Sequence, residues 1–445
     1  MRTGVFSLLL LLASVVGYCA ESVSLDSCRN MALRNNRQLL ISEERIRQAE
    51  YREKEAKSAY LPALDFEGGY LYNEKNISLL GKDAQLLLER FLPKDMLSFD
   101  IHNVFAGAVT ITQPVYWGGK IRELNKVAKL AETLAQHERD ITAQEIIYSV
   151  DVAYWQVVSL KAKEHVAQQY VALLDTLSQN VNAMIQQGVA TRSDALSVAV
   201  KRNEALVDLA KVENGLTLSR MALAQLCGLP TTTHFTLRDE DSATLPYINS
   251  EQYINMNDVY RRRDDVNALK TAIEIRRHQA NAERSAMLPQ IAIVGAYSVS
   301  NPNVFNGFEN KFDGMFSVGA TIKIPIWHWG GNYNKFRAAK CETIIANLNL
   351  EDAKSKIALQ VNEAAFKCDE AQKSYTTALS NCASAEENLR MAMLGYHEGI
   401  ITSSQVMEAQ TAWLKAQSQL IDSGIEMRLC DVYLSKALGT LPLKY

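Results

Sequence analysis

Residue types that commonly carry catalysis are thinly spread in this sequence. The seven histidines are dispersed, and the chain has no Gly-x-Ser-x-Gly, no His-Glu-x-x-His and no phosphate-binding glycine loop. Each of those motifs works because it holds a nucleophile, a metal ion or a phosphate beside a second reacting group. We therefore predict that the protein is not an enzyme and uses no cofactor or metal ion.

Cysteine is the other reactive residue type. Cys19 lies near the N-terminus, and the remaining six cysteines are far apart, with no Cys-x-x-Cys pair and no histidine at metal-ligand spacing. Scattered cysteines on helical patterns are usually small buried apolar residues, although an oxidising compartment also permits disulfides. Whether Cys28 pairs with Cys227 stays open at this point. The six are Cys28, Cys227, Cys341, Cys368, Cys382 and Cys430.

Polar residues in two short segments have the spacing of helix caps. Thr191 and Asp194 stand three residues apart at the start of one helical pattern, and Thr402 and Gln405 do so at another. In a capping box the threonine hydroxyl accepts a hydrogen bond from the later residue's backbone, and the later side chain bonds to the threonine backbone in return. Both segments are therefore predicted to begin helices.

The composition of the chain indicates a folded protein with a large core. Apolar residues make up 47% of its 445 residues, which is enough to bury a large core. The net charge is -3, and no cluster of Lys and Arg alternates with aromatic residues, so nucleic acid is not a predicted partner. The run Arg261-Arg262-Arg263 is followed at once by Asp264-Asp265, which indicates a solvated or locally paired segment.

The N-terminus has the layout of a secretory signal peptide. Arg2 precedes an apolar stretch over 5–16 that ends in small residues, so residues 1–20 are predicted to be removed, at a cleavage site that the sequence does not fix. Tyr18 precedes Cys19 where a lipidation signal needs a small residue, so Cys19 is not predicted to carry lipid. No later apolar stretch is long enough for a membrane-spanning helix.

Two strands follow the first helical pattern. That pattern runs over about 24–60 and ends at Leu61-Pro62. Alternation between an apolar and a more polar side, with Leu71 as the single exception, then predicts strands over about 63–73 and 105–113. Pro114 and the pair Gly118-Gly119 are predicted to form the turn from strand to helix.

A long helix is predicted next, because residues over about 120–187 include neither proline nor glycine and repeat apolar residues every three or four positions. At 1.5 Å per residue it measures about 100 Å. Gly188 is the predicted turn residue at its end. The next helical pattern, over 191–227, has about half that length.

The same order of elements then occurs a second time. Strands are predicted over about 290–300 and 315–324, then a turn at Pro325 and Gly330-Gly331, and a long helix over about 332–398 that ends at Gly399. Three landmark pairs are each 211 residues apart: Pro114 and Pro325, Gly188 and Gly399, and Gly228 and Gly439. We therefore predict a first repeat over 21–230, a linker over 231–250 and a second repeat over 251–445.

The architecture follows from these lengths. Each repeat reads as one long helix antiparallel to two shorter, stacked helices with coiled-coil packing. Each strand has one apolar face and a length that suits a transmembrane barrel, but four strands cannot close a barrel and lipid does not tolerate open edges. The fold class is therefore mainly α with transmembrane β, in which several chains pool their hairpins. A small sheet over a soluble core is the alternative.

Nearly the whole mature chain resembles the TolC family of outer-membrane efflux proteins. The resemblance rests on the opening segment with Leu25, Ala32-Leu33 and Asn35-Asn36, on both proline and glycine exits from the hairpins, and on the tip segments 188–196 and 396–410. It implies a homotrimer with a twelve-stranded barrel in the outer membrane of a Gram-negative bacterium and a periplasmic helical tunnel. It also implies docking to a periplasmic adaptor and an inner-membrane pump of the RND or ABC type.

The resemblance also assigns roles to the helix tips. Asp194 and Tyr396 fall where relatives often link helices in the closed state, and Ile401 stands where some relatives have a basic partner. Gln405 and Glu408 match positions that face the lumen, so three copies of Glu408 would form an acidic ring. Gly188, Thr191, Ser193, Gly399 and Thr402 are the predicted tip turns and caps. Capping alone is the alternative role for Asp194.

The rival function is a periplasmic coiled-coil scaffold or adaptor without a pore. Such a protein is expected to have one helical hairpin flanked by soluble β domains, whereas this sequence has two equivalent hairpin pairs and strands with one apolar face. The sequence therefore favours an exit duct of a tripartite efflux or type I secretion system. Its exported substrate is not specified by any residue pattern.

Overall fold

A computed structural model describes residues 22–75, 101–233, 235–240, 254–303 and 309–442, with the backbone of 77–78 and 98–99. The predicted signal peptide, Cys19 and the linker residues 241–250 lie outside the described residues. The chain divides into two compact units, and each draws on both predicted repeats. Unit 1 consists of Met1–Ser42, Arg139–Asp264 and Ser355–Tyr445, and unit 2 of Glu43–Glu138 and Asp265–Lys354.

The helices of the two repeats match in length. Helices α3 and α7 each have 67 residues, and α4 and α8 each have 35. No helix among the described residues has the length and hydropathy that a membrane span requires. The helices are α1 (Leu25–Asn35), α2 (Arg37–Ser58), α3 (Lys120–Gln186), α4 (Arg192–Leu226), α5 (Met256–Arg262), α6 (Asp264–Arg284), α7 (Gly331–His397) and α8 (Ser403–Ala437).

The prediction of one unbroken helix over 24–60 was wrong at Asn36. Its backbone is extended, with φ -67° and ψ 127°, and its side chain accepts a hydrogen bond from the Gln38 N–H and donates one to the Leu226 carbonyl at 3.0 Å. The second repeat breaks in the same way at Arg263, whose guanidinium donates to the Ala437 carbonyl at 2.9 Å. At both breaks a polar side chain thus donates to the carbonyl of the last residue of another helix, and Asn36 also caps the start of α2.

The core of unit 1 is built from apolar residues repeated at helical spacing. One cluster packs Cys28 of α1 and Leu223 of α4 around Tyr154 of α3. A second cluster takes side chains from α3, α4, α7 and α8, and it includes Tyr170 and Trp413. The paired helices of the two repeats therefore share one core in this unit.

Four antiparallel strands form the sheet of unit 2, in the order β1-β4-β5-β6. Strands β1 and β6 lie at its two ends, and a two-residue ladder joins β2 to β3. The strands are β1 (Ala63–Tyr72), β2 (Ile77–Ser78), β3 (Ser98–Phe99), β4 (Asn103–Trp117), β5 (Gln290–Asn301) and β6 (Asp313–Lys323). Both hairpins therefore contribute to one continuous sheet.

Pro114 does not stand in a turn, which corrects the sequence prediction. Strand β4 continues through it to Trp117, with a register shift between Pro114 and Tyr116. The missing N–H of a proline is tolerated in a strand at such an irregularity. Pro325, by contrast, does lie beyond the end of β6 at Lys323.

The second glycine turn is displaced by one residue from its predicted place. Gly118 and Gly119 have φ of 60° and 85°, and their counterparts 211 residues later are Trp329 and Gly330, with φ of 49° and 74°. Gly331 instead begins α7. A β-carbon on Gly118 would lie 2.6 Å from the Ser285 carbonyl oxygen, so this glycine is required for a close approach as well as for its backbone conformation.

Candidate functional site

One face of the sheet in unit 2 is apolar across all four strands. The strand register aligns Phe66, Val109, Tyr297 and Phe316 in one row, and Leu64, Ile111, Gly295 and Val318 in the next. Phe66 and Phe316 are 74% and 70% exposed. Large apolar side chains in such a continuous exposed patch indicate a surface that water does not normally cover.

The opposite face of the same sheet is more polar. The row beside Phe66 contains Asp65, Thr110, Ala296 and Ser317. Successive side chains of a strand point to opposite faces, so the sheet separates an apolar side from a polar side. This is the pattern of a barrel wall with lipid outside and water inside.

Exposed aromatic side chains gather where the strands of unit 2 meet the long helices. Trp327 and Trp329 are 70% and 88% exposed, and their rings meet edge to face at a centroid distance of 6.0 Å. Tyr116, Trp117 and Tyr333 lie in the corresponding parts of β4 and α7 and are also exposed. Tryptophan and tyrosine are enriched at membrane interfaces because their rings are apolar and their tips are polar.

The tip turns of unit 1 have the same backbone geometry in both repeats. Gly188 and Gly399 have φ of 76° and 72°. The next residue in each case donates a backbone hydrogen bond to the preceding helix: Val189 to Met184 at 3.0 Å and Ile400 to Gly395 at 2.8 Å. These are helix C-caps in the left-handed conformation that glycine adopts readily.

Both predicted capping boxes are present. Asp194 Oδ2 accepts hydrogen bonds from the Thr191 backbone N–H at 2.9 Å and from its hydroxyl at 2.6 Å. Gln405 accepts from the Thr402 backbone N–H at 2.9 Å in the same manner. Ser193 is not itself the cap: it lies in the first turn of α4, where its carbonyl accepts a hydrogen bond from the Ser197 hydroxyl.

Asp194 also contacts the other repeat. Its Oδ1 accepts a hydrogen bond at 3.3 Å from the hydroxyl of Ser403, the first residue of α8, whose side chain is buried. The hydrogen bonds from Thr191, and also the one from Ser403, lower the pKa of Asp194 below its ordinary value. The carboxylate therefore serves both a cap and a link between repeats.

Tyr396 lies near Asp194 but does not bond to it. The described hydrogen bonds of Asp194 go to Thr191 and Ser403, and the Tyr396 ring is buried with Val181 of α3 and Val198 of α4. Burial, and then the charge of Asp194, raise the pKa of the Tyr396 phenol. The structure thus brings the two predicted gate residues close together without a direct hydrogen bond between them.

Gln405 and Glu408 are both exposed on α8. Gln405 forms its capping hydrogen bonds there, and Glu408 stands beside the buried Ala409 on the solvent-facing side of the helix. In one chain these residues form no common cluster with Tyr396, which is buried.

Several contacts near the tip were not predicted from the sequence. The Tyr170 and Thr411 hydroxyls bond at 3.3 Å, and the Gln410 amide donates to the Leu173 carbonyl at 3.4 Å, so both contacts join α3 to α8. An ion pair between Arg202 and Asp175 joins α4 to α3. Gln410 could have been noticed as a polar residue at an apolar repeat position, but its partner depends on helix packing.

Comparisons with known proteins agree with this geometry. A sequence profile of the outer membrane efflux protein family matches residues 28–229 and 256–440. The outer membrane protein TolC of Vibrio cholerae serotype O1 is 21% identical over 399 residues, covering 87% of this chain and 84% of the relative. The multidrug resistance outer membrane protein MdtQ of Escherichia coli O157:H7 is 23% identical over 422 residues, with 91% and 84% covered.

Solved structures share the fold. The open state of the MtrE outer membrane channel of Neisseria gonorrhoeae superposes with a TM-score of 0.74 at 19% identity, covering 94% of this chain and 90% of the channel. The sheet with one exposed apolar face and the paired long helices define an outer-membrane channel with a periplasmic α-helical extension. The chain belongs to the outer membrane efflux protein family, whose members are passive channels of Gram-negative bacteria. The pore-free scaffold is not supported.

Proposed function

We propose that three copies of this chain form the exit duct of a tripartite efflux or type I secretion system. The apolar rows across β1, β4, β5 and β6 carry this proposal. The end strands β1 and β6 have unpaired edges in one chain, and an edge in lipid must be paired. Three sheets of four strands close a twelve-stranded barrel by pairing β6 of one copy with β1 of the next.

The barrel would stand in lipid of the outer membrane. Phe66 and Phe316 would face acyl chains, and Trp327 and Trp329 would lie at the level of the head groups, where aromatic belts form. The polar row with Asp65 and Ser317 would line the water-filled interior. Both faces of the sheet would therefore have a defined environment, lipid on the apolar side and water on the polar side.

The partners would be a periplasmic adaptor and an inner-membrane pump of the RND or ABC type. Family membership and the name of the multidrug resistance relative support an efflux role. The duct itself would catalyse no reaction, and transport through it would be passive. Energy and substrate choice would come from the pump, which is why residues of the duct do not specify the cargo.

The helix tips would form the periplasmic gate. The hydrogen bond from Ser403 to Asp194 joins the two repeats at the point where α4 and α8 begin, so its loss would let those tips separate. Tyr396 would support this bond by packing beneath it rather than by bonding to Asp194. Three exposed copies of Glu408 would then form an acidic constriction that favours cations.

Planar-bilayer conductance of the purified mature protein, together with a crosslinking ladder, tests the proposal. Crosslinked trimers that give small, discrete, cation-selective steps are the expected result. Glu408→Gln should reduce the cation selectivity and leave the trimer intact, because the side chain is exposed in each chain. A purified, folded chain that stays monomeric and gives no channels would contradict the duct.

A further inference from the structure

Four of the six described cysteines lie in two facing pairs. Cys28 and Cys227 are each 1% exposed in the same core cluster, and the Cys227 thiol donates to the Cys28 carbonyl at 3.7 Å. Cys368 of α7 and Cys430 of α8 have their sulfur atoms within 4.8 Å of each other. The structure holds all of them as free thiols.

The two thiols of each pair also lie close enough for one to shift the pKa of the other. A hydrogen bond to Cys227 raises the pKa of Cys28, and a hydrogen bond to Cys368 raises the pKa of Cys430. The two remaining described cysteines, Cys341 and Cys382, are in neither pair. Sulfur atoms this close can be bridged with small side-chain movements, whereas distant cysteines cannot.

We propose that the mature protein carries two disulfides, Cys28–Cys227 and Cys368–Cys430. An outer-membrane protein folds in an oxidising compartment, where facing thiols are normally converted to disulfides. In each case two S–H bonds break and one S–S bond forms. The two protons and two electrons pass to the disulfide of a thiol–disulfide oxidoreductase, which leaves as its dithiol.

The first disulfide would fasten the start of the chain to the end of α4. Cys28 is the fourth residue of α1, and Cys227 is the residue after α4. Their residues are 199 positions apart, so the bridge would close a very long loop. A crosslink lowers the conformational entropy of the unfolded chain, and it does so more when the closed loop is longer.

The second disulfide would clamp the α7–α8 pair at a defined level. Cys368 is 29 residues before the end of α7, and Cys430 is 27 residues after the start of α8. At 1.5 Å per residue the clamp would stand about 40 Å from the tip turn on both helices. Helices α3 and α4 contain no cysteine. This consequence rests on the proposed gate at the tip. Helices α7 and α8 could then separate from each other only between the disulfide and the tip turn.

The competing use of Cys368 and Cys430 is a metal site. Asp431 places a carboxylate oxygen within 4.8 Å of both sulfur atoms, and two thiolates with a carboxylate would suit a soft cation. Cys28 and Cys227, however, are buried, and among the described residues they belong to no group of three ligand atoms that could hold a metal ion. Oxidation accounts for both pairs with one chemistry, and a metal accounts for only one.

Differential alkylation of the purified full chain tests the two disulfides. The protein is denatured with a chelator and N-ethylmaleimide, then reduced, alkylated with iodoacetamide and digested for mass spectrometry. We expect iodoacetamide labels on Cys28, Cys227, Cys368 and Cys430 and maleimide labels on Cys341 and Cys382. Unreduced digests should contain each crosslinked peptide pair at a mass lower by two hydrogen atoms.

Single variants separate the two bridges. C430S should leave Cys368 open to maleimide while Cys28–Cys227 persists, and C341S/C382S should keep both disulfides. Maleimide on all four paired cysteines would overturn the proposal, as would one metal ion per chain released by the chelator with free Cys368 and Cys430. The peptide map does not depend on conductance, so failure of the duct and failure of the disulfides are distinguishable.

Discussion

Asp194 and Ser403 are 209 residues apart in the chain, and the Ser403 hydroxyl donates a hydrogen bond to Asp194 Oδ1 at 3.3 Å. The other carboxylate oxygen of Asp194 is occupied by Thr191 within its own capping box. One carboxylate therefore carries a local function and a function between the repeats. These two functions can be separated by mutating its partners one at a time.

Ser403→Ala should weaken the proposed gate without removing either capping box. It deletes one hydrogen bond between the repeats, worth about 0.5–1.5 kcal/mol, and leaves the contacts of Thr191 and Thr402 in place. We expect a larger single-channel conductance in planar bilayers. Gln405→Ala is the matched control, because it removes a cap of similar strength and no contact with Asp194. Unchanged conductance of Ser403→Ala, with a change in Gln405→Ala alone, would argue for capping alone.

Acid should open the gate at a pH set by Asp194. Hydrogen bonds from Thr191, with that from Ser403, hold its pKa below the ordinary value, so the bonds stabilise the closed tip fully above about pH 4. This stabilisation is lost as the pH falls through the lowered pKa. Conductance should therefore stay constant from neutral pH to about pH 4 and rise below it. Asp194→Asn should abolish the dependence, and a rise between pH 7 and 5 would contradict the assignment.

Two glycines with the same backbone conformation should differ in their tolerance of alanine. Gly188 has φ of 76° and open space around it, so Gly188→Ala should cost about 1–2 kcal/mol from backbone strain alone. Gly228 has φ of 72°, and a β-carbon there would lie 2.7 Å from the Asn35 carbonyl oxygen. Gly228→Ala should therefore cost about 3 kcal/mol or more. Thermal melting of both variants measures the difference, and equal losses would show that the chain relaxes at Gly228.

Neighbouring residues on β1 should respond oppositely to a positive charge. Phe66→Arg places a cation on the apolar row, which costs about 2–4 kcal/mol in the middle of a bilayer. It should prevent stable insertion into the outer membrane. Glu67→Arg lies on the other face of the same strand and should insert normally with altered ion selectivity. Membrane fractionation and trimer crosslinking report both results, and normal insertion of Phe66→Arg would place the apolar face elsewhere.

Those parts of the fold that depend on a local residue pattern could be predicted from the sequence. Alternation predicted the apolar faces of the strands, and the spacing of Thr191 and Asp194 predicted a capping box. The break at Asn36 was missed because no proline or glycine marks it and its partner is the distant Leu226 carbonyl. The displaced turn at Trp329 was missed because tryptophan is unfavourable at positive φ.

The contacts of the tip could be predicted only in part. Asp194 was found through its spacing and its family resemblance, but Ser403 was not, because a serine at a helix start has no pattern that identifies a partner two hundred residues away. Tyr396 was predicted only as part of a link between helices, and the sequence did not show that its ring is buried with residues of α3 and α4. That outcome depends on how four helices meet, which no local pattern specifies.

The helix breaks at Asn36 and Arg263 show which features the two repeats share and which they do not. The two side chains differ in size and charge, yet each donates to the last turn of a following helix, at Leu226 and at Ala437. Opposite each break stands a glycine, Gly228 or Gly439, that leaves room for the crossing backbone. The two repeats therefore tolerate a different donor with a different charge, provided that the donor reaches the same carbonyl position and a glycine lies opposite it.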